Sequence, residues 1–179
     1  DRDGVINVDH GYVHRPDQIA FVPGIFDLCR AAYENDMLLI VVTNQAGIGR
    51  GYYSEEQFRA LCAWMHERFE AENAPLARIY HCPYHPLHGV GAYQLDSPDR
   101  KPNPGMILKA QKHFEIDLLQ SVIVGDRETD MQAGLRAGIP KRVLFDPQNE
   151  VNGASCTQKV TVLRDICLLY TSPSPRDQR

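Results

Sequence analysis

The chain has 179 residues and a formal net charge of −4. That length suits one domain with room for a sizeable core, and the acidic balance gives no footing for a nucleic-acid partner. No apolar run reaches the roughly 20 residues that a membrane-crossing helix needs, so no membrane partner is expected.

The chain opens on Asp1-Arg2-Asp3-Gly4. In an extended segment, residues i and i+2 point to the same side, so Asp1 and Asp3 can face one pocket. Gly4 lets the backbone turn away and approach a ligand closely. Pro23-Gly24 then opens a helix running to about Asn35, with Ile25, Leu28, Cys29 and Ala32 on one stripe. Met37-Leu38-Leu39-Ile40-Val41-Val42 is a continuous apolar run of the kind buried on both faces of a parallel sheet. It ends in Thr43-Asn44-Gln45. Ser54-Glu55-Glu56-Gln57 has the capping-box pattern and starts a long helix to about Glu72, with Phe58, Leu61, Cys62, Met65 and Phe69 inward.

Arg78 to His81 reads as a short strand, and Pro104 to Phe114 as a helix with proline in its first turn. Ser121-Val122-Ile123-Val124-Gly125 is a second buried strand that delivers Asp126 to its end. A helix follows from Thr129 to Ala137, stopped by Gly138, then a strand over Arg142 to Phe145. This alternation implies an α/β fold, a Rossmann-like parallel sheet with helices on both faces, in one domain over residues 1–169. Residues 170–179 carry no apolar periodicity and read as a disordered tail foreign to the fold. The five cysteines, Cys29, Cys62, Cys82, Cys156 and Cys167, are scattered and odd in number. Such usage suits a reducing cytoplasm, and a monomer is the expected state.

The polar residues that end these strands carry the chemistry. In open α/β sheets, ligands bind beyond the carboxyl ends of the strands. The acid pair, the Thr43 hydroxyl, the cationic Arg100-Lys101 and Asp126 therefore converge on one sheet edge. Carboxylates at such a place can hold a hard cation such as Mg2+, and one of them can attack phosphorus. Each residue also has an ordinary reading by itself. The acid pair can be a polar turn, Thr43 a β-branched strand residue, and Asp126 an acid near a helix N-terminus. Their joint order is what favours chemistry.

The order Asp-x-Asp-Gly, apolar strand to threonine, Arg-Lys-Pro, then apolar strand to Gly-Asp resembles the four motifs of the haloacid dehalogenase superfamily. Asp9-His10-Gly11-Tyr12-Val13-His14, Thr43-Asn44-Gln45-Ala46-Gly47-Ile48, Cys82-Pro83-Tyr84-His85-Pro86 and Arg100-Lys101-Pro102-Asn103-Pro104-Gly105-Met106 are similar to segments of the heptose-bisphosphate phosphatase family within it. The likeness runs from Asp1 to about Asp146. It implies a Mg2+-dependent phosphoric monoester hydrolase that releases the 7-phosphate of D-glycero-D-manno-heptose 1,7-bisphosphate, a step toward ADP-heptose for surface glycans. Histidinol-phosphate phosphatase is the neighbouring alternative, and a catalytically inactive relative with the same fold is another.

The resemblance also implies roles. Asp1 is the nucleophile, Asp3 the general acid and base, and Thr43 and Lys101 the phosphoryl-oxygen binders. Mg2+ is held by Asp1, Asp126 and the backbone carbonyl of Asp3. Asp130 either binds metal-bound water or caps its helix. Asp9, His10, Gly11 and Tyr12 contact the sugar or form a surface turn, with His14 in the same loop. Asn44, Gln45 and Arg100 are further substrate contacts. Many relatives carry a cysteine-rich zinc loop before Arg-Lys-Pro. Here only Cys82 matches it well, with His85 and His88 as possible helpers. Structural zinc normally takes four sulfur or nitrogen ligands, so none is expected, and Gly89 to Tyr93 reads as a loop ordered by packing. Finally, the resemblance implies an apolar strand directly before the acid pair, in mid-sheet, so the chain as it stands is expected to lack its first central strand.

Overall fold

A computed structural model of the chain describes residues 1–167; the tail reading over residues 170–179 lies outside them. Five strands are formed: β1 (Leu39–Asn44), β2 (Leu76–Cys82), β3 (Val122–Gly125), β4 (Lys141–Phe145) and β5 (Gln158–Val160). The helices are α1 (Ile25–Glu34), α2 (Ala46–Gly49), α3 (Glu55–Ala71), α4 (Gly105–Phe114), α5 (Glu128–Ala137) and α6 (Arg164–Cys167). Every expected element is present within two residues of its expected ends, apart from slightly longer strands. β5, α2 and α6 carried no periodic signal, since each is only three or four residues long.

All the strand pairings are parallel, in the order β1-β2 and β3-β4-β5. Alternate strand residues face opposite layers. Val41 joins a core built on α1, α3 and α6 through Leu28, Leu61, Met65, Phe69 and Ile166. Val42 and Ile123 join a second core with Met106 and Ile107 of α4 and Ala133 of α5. Helices thus cover both faces.

The expectation that residues 37–42 are buried throughout needs correction. Leu38 is 56% exposed, and Leu39 and Ile40 are only half-buried. The physical reason is the layout of the sheet. β1 pairs with β2 on one side, while its other edge faces β3 across an apolar groove rather than a bonded strand. The Asp1 amino nitrogen donates to the Val124 carbonyl of β3 at 2.7 Å.

Two local features fix the helices beside the site. Ser54 caps α3 as its sequence predicts: its hydroxyl accepts from Gln57 N at 3.1 Å, and the Gln57 side chain accepts from Ser54 N at 2.8 Å. Asp130 closes the first turn of α5 by accepting from Arg127 N at 3.1 Å. Cys62, read as inward, is half-buried and packs on the Ile48, Tyr53 and Phe58 cluster instead.

Candidate active site

The carboxyl ends of β1 and β3 open into a pocket of about 530 Å3. Asp1, Asp3, Thr43, Lys101 and Asp130 line it, and Asp126 stands at the end of β3 beside them. The carboxylates of Asp1, Asp126 and Asp130 each place an oxygen within 4.8 Å of the others. Lys101, 4% exposed, runs its ammonium into this group. It lies 2.9 Å from Asp1 Oδ1 and 2.5 Å from Asp130 Oδ1, and donates to the Val42 carbonyl at 2.9 Å.

These contacts split the acids electrostatically. Burial, followed by the nearby Asp130 charge, pushes Asp126 up to about 6. Burial, the largest single influence, would raise Asp130 too, but the Lys101 ammonium, the nearby terminal amino group and the hydrogen bonds from Lys101 and Arg127 together outweigh it and hold that carboxyl below its usual range. Asp126 Oδ1 is buried and has no hydrogen-bond partner. Three converging carboxylates, one with an orphaned oxygen, fit a hard divalent cation, which prefers oxygen donors. Gly4 makes the approach of Asp126 feasible. Its φ is +85°, and a Cβ there would lie 2.1 Å from Asp126 Oδ2.

Asp3 occupies a different environment. Arg2, fully buried, donates to both its oxygens, at 2.6 and 2.7 Å through Nη2. Asn7 Nδ2 donates at 3.1 Å and Gln45 Nε2 at 3.0 Å. The guanidinium is anchored in turn by the Val13 carbonyl at 2.7 Å and by the Phe58 ring. The Asp3 side chain therefore belongs to a hydrogen-bonded frame beside the carboxylate cluster rather than to the cluster itself.

The other expected contacts separate into those facing the pocket and those supporting it. Asp9, Gly11, Tyr12, Asn44, Gln45 and Arg100 all line it. His10 does not; it faces a shallow depression with Asp17 and Gln18 on the other side of its loop. His14 stacks on Tyr53, ring centroids 4.6 Å apart. Both ends of the Asn44 amide are taken by the Lys101 backbone, each at 3.0 Å, so Asn44 acts as a brace for the Arg100-Lys101 loop. Gln45 is likewise internally bonded.

Several pocket residues were not singled out from sequence. Arg127 pairs with Asp9 at 2.8 Å across the rim. Arg50 lies over the Tyr12 ring at 5.9 Å, and Glu128 completes the wall beside His85, which the sequence offered only as a zinc helper. Only the arginine between two acids, Arg2, left a usable local sign. The others come from elements whose approach depends on tertiary packing.

The zinc-loop segment is arranged by packing. Burial pushes the Cys82 thiol up, opposed by hydrogen bonds involving Tyr84 and Ser97. The His85 ring accepts from Leu87 N and His88 N, each at 3.1 Å. Gly89 is seated against the Tyr93 backbone, and the Tyr93 hydroxyl donates to Glu55 at 3.1 Å.

A HAD-hydrolase-like family profile matches residues 99–144, the stretch from the Arg-Lys-Pro loop to β4. A Burkholderia mallei protein named D-glycero-alpha-D-manno-heptose-1,7-bisphosphate 7-phosphatase is 49% identical over 176 residues, covering 98% of this chain and 93% of its own. The chain belongs to the HAD-like phosphatase family. An Escherichia coli K12 relative of this family, named for the beta anomer, is 44% identical and covers 80% of this chain and 75% of its own. A solved structure agrees: the D,D-heptose 1,7-bisphosphate phosphatase of B. bronchiseptica, solved with magnesium and phosphate, superposes with a TM-score of 0.79 at 26% identity, covering 96% of both chains.

Proposed function

We propose that this HAD-like phosphatase hydrolyses the 7-phosphate of D-glycero-D-manno-heptose 1,7-bisphosphate through an aspartyl-phosphate on Asp1. The observation that carries the reading is the 49% identity, over nearly its whole length, to a relative named for that reaction. The pocket chemistry agrees with it. An Asp1 carboxylate oxygen attacks phosphorus in line, while Asp3 gives its proton to the departing sugar oxygen as the P–O bond breaks. Asp3, now a carboxylate, takes a proton from water. That water oxygen bonds phosphorus, the acyl-phosphate bond breaks, and Asp1 and inorganic phosphate are released. Thr43 and Lys101 bind the equatorial phosphoryl oxygens.

Asp1 and Asp126, with the Asp3 carbonyl and support from Asp130, would hold Mg2+. The cation supplies charge neutralisation between anionic nucleophile and anionic ester. Arg50, Arg100 and Arg127 around the rim suit the second phosphate of a bisphosphate, since a guanidinium fork matches phosphate geometry. In this reading one phosphatase domain works as a cytoplasmic monomer on a small sugar phosphate.

Phosphate release from a panel decides it: both anomers of the heptose bisphosphate, histidinol phosphate and a simple hexose phosphate, each with and without Mg2+. The expected result is Mg2+-dependent release from a heptose bisphosphate, leaving the 1-phosphate in place by 31P NMR. Preference for histidinol phosphate, or release without added metal after chelation, would overturn it.

A further inference from the structure

One buried side chain connects two functional groups that the reaction uses at different moments. Gln45, at the carboxyl end of β1, is 2% exposed, and its backbone N–H is fixed to the Cys82 carbonyl at 2.8 Å. Its amide nitrogen has two protons. One goes to Asp3 Oδ2 at 3.0 Å and the other to Thr43 Oγ1 at 2.8 Å. Its carbonyl oxygen accepts from the Tyr53 hydroxyl at 2.5 Å. Both amide protons are therefore used inside the protein, and the oxygen is oriented by Tyr53.

The Tyr53 side is held as firmly. Tyr53 is 4% exposed, and burial raises its phenol above the ordinary value, so it remains a donor. The His14 ring stacks on it at an interplanar angle of 4°. Gly47 makes room on another side, since a Cβ there would lie 2.2 Å from the Tyr53 ring. A flipped amide would turn its oxygen toward the Asp3 carboxylate, an acceptor facing an acceptor. Tyr53 and Asp3 together thus select one orientation.

We infer that Gln45, clamped by Tyr53, is a positioning residue that aims both the Asp3 carboxyl and the Thr43 hydroxyl at the phosphoryl group. The inference rests on the phosphatase reading above. Because Thr43 Oγ1 accepts from Gln45, its own single proton is free for a phosphoryl oxygen. Because Asp3 Oδ2 is shared by Gln45 and Arg2, the plane of that carboxyl is set before substrate arrives. The His14 stack links this clamp to the loop containing Asp9 and Tyr12, so the sugar-facing wall and the proton donor share one support.

The test exploits leaving groups. 4-Nitrophenolate departs from phosphorus without help from an acid, whereas an alkyl oxygen, in heptose bisphosphate or another alkyl phosphate, needs a proton. Tyr53→Phe should lower kcat on the alkyl ester about 10-fold, and Gln45→Leu about 10²-fold, toward the range for losing a positioned acid. With 4-nitrophenyl phosphate under rapid mixing, both variants should lose several-fold less of the nitrophenolate burst rate than of alkyl-ester turnover, the shared loss being that of a misaimed Thr43 hydroxyl, and then turn over slowly, because the second step still needs Asp3 as base. Gln45→Glu, which keeps the shape but replaces donors with acceptors, should behave like Gln45→Leu. Tyr53→Phe removes one oxygen and should melt within a few degrees of the parent, so it tests the idea even if Gln45→Leu folds poorly. Equal loss of the burst and of alkyl-ester turnover would indicate general disruption and overturn the inference, as would parental selectivity in all three variants. A parent active on aryl and alkyl phosphates but not on heptose bisphosphate would sink the substrate assignment alone. A parent inactive on every ester would remove both.

Discussion

Asp3 and Asp126 are the same residue type in opposite surroundings, and that contrast assigns their work. Asp3 is ringed by the donors of Arg2, Asn7 and Gln45; Asp126 stands half-buried among carboxylates with its Oδ1 unpaired. Asp1→Asn should abolish phosphate release while leaving the melting curve intact, because an amide cannot form the acyl phosphate. Asp3→Asn should cost about 10²–10⁴-fold, with a phosphorylated intermediate trapped on rapid quenching. Full activity in Asp1→Asn would refute the nucleophile. Gly4→Ala makes a second test: the added Cβ meets Asp126 and the left-handed backbone at φ +85° disfavours alanine by roughly 1–2 kcal/mol. Calorimetric Mg2+ binding should weaken in that variant along with its stability. Thr43 and Asp126 were legible as residue types at strand ends, the acid pair from its spacing, and Lys101 as a cation before a helix start. The support roles of Asn44 and Gln45 were not, because a polar side chain at a strand end reads as a substrate contact until its amide partners are known.

At the scale of elements, periodicity located every long helix, and the Ser54 box fixed the start of α3 to the residue. It failed for β5, where Gln158–Val160 offers three residues and a single buried apolar one. What secures β5 is a long-range pair. Asp146, just past β4, lies 2.8 Å from Lys159 of β5 and also accepts from Val151 N at 2.8 Å. The Lys159 hydrogen bond, partly opposed by burial, holds the Asp146 carboxyl down at about 2. A depressed carboxyl contributes stability above its unfolded value near 3.9 and loses it as pH falls through the folded one. Asp146→Ala should therefore melt below the parent at pH 7, and the gap should narrow as pH drops from about 4 toward 2. A gap that stays constant across that window would show that the pair contributes nothing through charge.

Over the whole molecule, the layered α/β architecture was readable because β1 and β3 alternate their residues between two helix layers. The exposure of Leu38 was not, because it depends on what lies beside β1. The metal cluster also joins distant parts of the chain, gathering Asp1 with Asp126 and Asp130 of the β3–α5 corner. A cation bound only by the folded state stabilises it by RT ln(1 + [L]/Kd), about 2.7 kcal/mol at 100 times Kd. For a chain of this size that is roughly 5–10 °C in Tm. Mg2+ should raise the melting temperature by such an amount, a chelator should reverse it, and Asp126→Asn should remove most of the shift. A Tm indifferent to Mg2+ in the parent would argue against the site.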